Sequence, residues 1–150
     1  MIPAQSSFAA NPALRPLWIA FGVNFLWINL SEVFRYFAFV MPMMRDALQA
    51  VPGVAPMDLP VFTVWGLWDT MLVVSATAIP WLVMEKFGAS VRAALAAGTL
   101  VWATVFGLFW LALFNMNLAP AAILAIALPL AWLELAAAAL IVRWSVLRYG

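Results

Sequence analysis

The chain has 150 residues, of which 68% are hydrophobic and 9% charged, with a formal net charge of +1. It contains no Cys and no His, which excludes disulfides, thiolate nucleophiles, cysteine-held metals, the usual zinc and haem ligands and an imidazole proton shuttle. The near-neutral charge offers no basic surface to nucleic acid, and a mean hydropathy of +1.07 makes membrane lipid the first expected partner.

The opening residues, MIPAQSSFAANPALRP, make a poor signal peptide: the apolar run after Arg15 is too long, is interrupted by Asn24, Asn29 and Glu32, and precedes no small-residue cleavage site. It reads as a retained first helix over residues 14–40. Pro16 suits the first turn, where a missing N–H costs little, and Pro42 should stop the helix. Residues 41–60 hold Pro42, Pro52, Pro56 and Pro60 and read as an interfacial loop, with one short helix around 43–50. A second helix is expected over 61–84, with Gly88 as its stop and Ser90 as the N-cap of a third over 91–114. Asn115 and Asn117 make a tight turn, and Pro120 opens a fourth helix over 120–144.

Only helices and closed barrels satisfy their backbone in lipid, and these Ala- and Leu-rich runs lack strand alternation. The expected fold is therefore an all-α membrane protein. Residues 1–150 form one transmembrane domain, a four-helix antiparallel bundle with both termini cytoplasmic. The orientation follows from Arg15, Lys86, Arg92, Arg143 and Arg148, which fall on one side, against Arg45 and the nearby Arg35 on the other. A multi-pass protein of a bacterial cytoplasmic (inner) membrane is the expected setting. Trp18, Trp81 and Trp144 should anchor the inner boundary, and Tyr36, Trp65 and Trp110 the outer one.

The informative residues are the ionisable ones inside the runs. Stepping the first helix at about 100° per residue places Asn24, Ser31 and Arg35 on one line, with Glu32, Tyr36 and Asn29 beside it. The opposite side carries Ile19, Val23, Leu26, Leu30, Val33 and Phe37. Asp69 on the second helix shares a face with Trp65, Leu72 and Val73, and Trp68 is adjacent to it in sequence; Glu134 on the fourth shares one with Ala127, Ala131 and Ala138. On the third, Ala96, Thr99, Ala103 and Gly107 form a small-residue stripe suited to close packing, as does the Ala127/Ala131 pair.

With a rise of about 1.5 Å per residue, Glu32 and Asp69 land at similar heights, Arg35 one turn further out, and Glu134 deeper, roughly 20 Å from the outer end. Three acids against one guanidinium leave two uncompensated negatives, each costing about 2.5–3.5 kcal/mol at mid-bilayer even on a lenient scale. The cheaper arrangement pairs Arg35 with one carboxylate while one or both of the others hold a proton. The bland alternatives are a structural Glu32–Arg35 pair, an Asp69 hydrogen bond to Tyr36 or a Trp N–H, an inter-subunit role for Glu134, and interhelical adhesion by Asn24 and Asn29. Thr70, Ser75, Thr77 and Thr104 can bond back to their own helices.

No cofactor is expected. Lys86, the only lysine, lies in a loop, and Met41, Met43, Met44 and Met57 without His or Cys suit an interface better than copper. Three functions remain open. Glu32, Arg35, Asp69 and Glu134, with Asn24, Asn29, Tyr36, Trp65 and Trp68, can bind or carry a small-molecule ligand, ion or proton, a pathway through so thin a bundle needing a homodimer. The same acids can serve a membrane-embedded acid/base isomerase acting on an apolar lipid or terpenoid, with Trp65 and Trp68 stabilising a developing cation. Or the polar stripe docks the chain as an accessory subunit of a larger membrane complex.

Overall fold

A computed structural model of the chain describes residues 14–54 and 57–150, all of them helix, turn or coil. The reading of residues 1–13 as a retained segment and the placing of Pro56 in the loop lie outside the described residues. In order, the elements are α1 (Arg15–Arg35), a π-helical turn (Tyr36–Val40), α2 (Met41–Ala47), α3 (Leu59–Phe87), α4 (Val91–Trp102), a second π turn (Ala103–Gly107), α5 (Leu108–Asn115) and α6 (Ala121–Tyr149). They join into four helices long and apolar enough to cross a membrane: Arg15–Ala47, Leu59–Phe87, Val91–Asn115 and Ala121–Tyr149.

Pro42 does not stop the first helix. The π turn widens the backbone ahead of it, so that Met41 N–H donates to the Tyr36 carbonyl, five residues back. Pro42 then sits in the opening positions of α2, where its absent N–H is not missed. The short helix expected around 43–50 is thus the end of the first span. The second helix begins earlier than expected because Asp58 caps it, its side chain accepting from Val61 N–H at 3.0 Å. It ends at Gly88, whose φ of +84° a residue with a Cβ would resist. Ser90 caps α4 through Ala93 N–H at 3.1 Å. The fourth helix continues past Trp144 to Tyr149, carrying Arg143 and Arg148 on its last turns.

α6 is the central element, packed most extensively on α1 and α4 and also on α3. Its Ala127, Ala131, Ala138 and Ala139 are fully buried, which lets neighbouring backbones approach closely. The packed face of α4 is not the anticipated stripe. Ala96 and Ala103 are exposed, and the buried line is Ala94, Ala97, Gly98 and Val101. Trp110 is likewise no boundary anchor: it is 5% exposed and belongs to the core.

Polar contacts fix the register. The Ser145 hydroxyl donates to the Pro16 carbonyl at 2.7 Å, the Arg143 guanidinium to the Ala89 carbonyl at 3.0 Å, and Arg15 lies 5.5 Å from the Tyr149 ring centroid. Further along, Asn24 Nδ2 donates to Thr77 Oγ1 at 3.0 Å and to the Ala138 carbonyl at 3.3 Å, joining α1, α3 and α6. Trp102 Nε1 donates to the Leu128 carbonyl and Trp132 Nε1 to Thr99 Oγ1, joining α4 and α6. Thr70, Ser75 and Thr104 do bond back to carbonyls four residues earlier, whereas Thr77 accepts from Asn24. Interhelical hydrogen bonds in membranes average about 0.6 kcal/mol and reach about 1.7. Because Asn24 makes two, Asn24→Ala should lower stability by about 1 kcal/mol. Thr77→Val added to it should cost less than it does alone, since the shared bond is already gone. Additive losses in thermal unfolding would show that the bond contributes nothing.

Candidate functional site

Three spans carry the same spacing at one level. Glu32, Arg35 and Tyr36 stand at i, i+3 and i+4 on the first; Trp65, Trp68 and Asp69 do so on the second; Phe106, Phe109 and Trp110 do so on the third. That spacing puts each trio on one helical face. The three faces meet around a cavity of about 80 Å³ that all nine residues line. Both π turns lie beside it: the first contains Tyr36 and the second Phe106. Such turns re-aim the side chains that follow them and recur at functional sites.

Arg35 organises the polar side. It is 4% exposed, and its two terminal nitrogens serve different acids: Nη1 donates to Glu134 Oε2 at 3.1 Å, and Nη2 to Glu32. The guanidinium also lies 4.6 Å from the Phe106 ring centroid, a desolvated cation–π contact. Glu134 is 3% exposed, and Trp27 Nε1 pins its backbone by donating to its carbonyl at 3.0 Å. Thus Glu134, expected deeper and without a partner on its own helix, is level with Arg35 and joined to it across the α1–α6 contact.

Two acid oxygens here are buried with no hydrogen-bond partner among the described residues, Glu134 Oε1 and Asp69 Oδ1. Leaving such an atom unpaired costs about 1–3 kcal/mol, more when it is charged. Asp69 is half-buried and makes no ion pair among the described residues, although it lines the cavity together with Glu32 and Arg35. On the other side of Arg35 a second cavity of about 170 Å³ opens between α1 and α6, lined by Trp27, Ser31, Phe34, Arg35, Leu130, Leu133 and Glu134. Arg35 therefore borders both cavities.

Of the nine residues anticipated from the sequence, Glu32, Arg35, Tyr36, Trp65, Trp68 and Asp69 line the first cavity and Glu134 the second. Asn24 and Asn29 line neither. Asn24 is fully buried as an interhelical tie, and Asn29 donates to the Phe25 carbonyl on its own helix at 2.7 Å. Phe106 and Phe109 were not anticipated, and Trp110 only as a boundary residue. Their signal was the repeated i, i+3, i+4 spacing, which on a helix with no other charge beyond Arg92 reads equally as packing.

Beneath the cavity lies an apolar layer. Ile28, Leu72, Val73, Ala76, Leu135 and Ala138 are at most 3% exposed and form one apolar cluster. No protein-family model, curated protein or solved structure matches the chain.

Proposed function

We propose that this is a small integral membrane protein that binds, and moves in exchange for protons, a small solute or ion held in the cavity of Glu32, Arg35 and Asp69. The observation that carries this reading is the buried, partnerless Asp69 Oδ1 in the wall of that cavity. A carboxylate so placed is neutral with a proton or with a bound cation, and those two states exclude each other. The same balance operates next door, where Glu32 and Glu134 share one guanidinium. Exchange of one neutralising partner for another is the physical basis of coupling between ligand and proton.

The accompanying topology is an antiparallel bundle with both termini cytoplasmic, in a membrane such as the bacterial inner membrane. Its support is the opposed order of the contacts Pro16–Ser145, Asn24–Ala138 and Trp27–Glu134, together with the positive bias of Arg15, Lys86, Arg92, Arg143 and Arg148. The cavity then belongs to the outer half. The apolar layer beneath it is why passage to the other side calls for a rearrangement or for a second copy of the chain.

The test is reconstitution in liposomes loaded with a pH-sensitive dye. Small amines, amino acids and sugars are added in turn, and proton movement is recorded. A solute that drives proton movement in the wild type should fail to do so in Asp69→Asn, which should keep the wild-type thermal midpoint, and drive it weakly in Glu32→Gln, which should still fold because its amide oxygen can accept from Arg35. Equal movement in wild type and both variants, or none beyond that of protein-free liposomes, rejects the reading. One feature favours an acid/base enzyme instead: two carboxylates, Glu32 and Asp69, face one ring-lined apolar volume. A terpenoid or sterol that co-purifies and is isomerised by the wild type, but not by Asp69→Asn, would decide for it.

A further inference from the structure

Rings from three spans close on the cavity in an unbroken series. Centroid separations are 6.0 Å from Tyr36 to Trp65, 6.4 Å from Trp65 to Trp68, 6.1 Å from Trp68 to Phe109 and 5.6 Å from Phe109 to Trp110. The face of an aromatic ring is negative and attracts cations, most strongly where water is excluded. Beside the rings stands Asp69, with its buried oxygen unpaired. The cation already in the wall, Arg35, has both terminal nitrogens on acids and its guanidinium carbon over the Phe106 ring. The wall therefore holds an acid without a counter-charge and a series of aromatic rings, while Arg35, already held by Glu32 and Glu134, is not free to pair with an anion.

A metal ion fits poorly. Hard cations take six or more oxygens, and among the described lining residues only Glu32, Tyr36 and Asp69 carry side-chain oxygens. An organic ammonium needs one counter-charge and a surround of aromatic rings, and the lining supplies Asp69 and five linked rings. The volume of about 80 Å³ is that of a pocket for a head group rather than for a large solute. Val33, Phe37 and Phe62 also line it and are exposed on the outside of the bundle. An apolar substituent leaving the pocket would lie along them.

Resting on the reading of this cavity as a binding site, the geometry points to an alkylammonium cation as its ligand: a protonated or quaternary amine with its head among Trp65, Trp68 and Phe109 beside Asp69, and its apolar part toward the exposed rim. A free amine and the choline head group of a phospholipid present the same chemistry.

The experiment is equilibrium binding of radiolabelled benzyltrimethylammonium to the full chain in phosphatidylglycerol nanodiscs. Binding should saturate. Choline should displace the probe, and 3,3-dimethylbutan-1-ol, its uncharged counterpart of the same shape, should not. Trp68→Ala and Asp69→Asn should each weaken binding about tenfold, whereas Trp68→Phe, which keeps a ring, should stay within about threefold. If Trp68→Ala does not fold, Phe109→Leu reads the same wall. Displacement by the uncharged alcohol as readily as by choline, no saturable binding, or wild-type affinity in both Asp69→Asn and the ring variant overturns the proposal. Repeating the titration in phosphatidylcholine separates the sources: loss of probe binding assigns the pocket to the lipid head group, unchanged affinity to a free cation, and either keeps the ammonium chemistry. Proton-coupled movement of other solutes without binding of the probe overturns the ligand class and leaves the transport reading standing. Saturable binding without flux does the reverse.

Discussion

Arg35→Met should lower the unfolding free energy by about 3–5 kcal/mol, the usual cost of stripping a buried ion pair of one partner. Methionine keeps much of the length and apolar volume of the side chain but leaves Glu32 and Glu134 without their shared counter-charge. It also removes the cation from the Phe106 ring. The loss is one of uncompensated charge rather than of packing, so it should be reversible by neutralising the acids. The triple variant Arg35→Met, Glu32→Gln, Glu134→Gln should recover most of the stability, as buried ion pairs often can be exchanged for neutral groups of similar shape. Arg35→Lys should fall between, because an ammonium lacks the planar fork whose two terminal nitrogens reach separate carboxylates. Thermal unfolding of the four proteins in one detergent checks the series. A triple variant no more stable than Arg35→Met would mean that the guanidinium acts through its packing, and the charge account of the cluster would be wrong.

How far this cluster could be read beforehand depended on which neighbours each residue needed. Glu32, Arg35 and Tyr36 were legible because an acid in a long apolar run has to turn inward, and the helical period alone fixes what lies opposite. Val23, Leu26, Leu30, Val33 and Phe37 are indeed all exposed. The partner of Glu134 was not legible, and the cause is Pro42. Ending the first helix at residue 40 put Arg35 close to the outer end. The π turn carries the helix on to Ala47, seven residues further, which lowers Arg35 by roughly 10 Å relative to that end and brings it level with Glu134. Asn24 and Asn29 lie in the same polar arc and looked alike. One meets Thr77 and Ala138, the other only its own helix, a difference made by the neighbouring helices and absent from the period. The third span offered small residues on several faces, Ala93, Ala94, Ala96, Ala97 and Gly98 among them, so periodicity could not choose the line that packs. Facing follows from the helical period where a helix carries one polar arc; depth beyond a proline and register between helices do not.

That register is tightest at Gly98, and Gly98→Val should be among the most disruptive apolar substitutions in the chain. A Cβ built there would stand 2.7 Å from the Leu135 carbonyl oxygen and 3.2 Å from Ala139 Cβ. The obstructing atom is helical backbone and cannot swing aside, so α4 and α6 would have to separate along the line of Ala94, Ala97, Val101, Ala139 and Val142, all buried. Overpacking a close contact costs about 1–3 kcal/mol, and Val adds two methyl groups beyond that Cβ. Gly98→Ala sets two effects against each other. Helix propensity favours Ala by about 0.8–1.0 kcal/mol, but a contact under 3 Å with backbone should outweigh it. Gly66→Ala isolates the propensity gain, since nothing lies within 4 Å of its would-be Cβ, and it should be neutral or stabilising. Thermal midpoints of the three variants decide the matter: if Gly98→Ala is as stable as Gly66→Ala, the α4–α6 contact is looser than described. The displaced carbonyl belongs to the residue after Glu134, whose own carbonyl is held by Trp27. Pushing α6 off α4 therefore strains the hold of Glu134 on Arg35, and a Gly98→Val protein that still folds should lose ligand binding although it touches neither cavity.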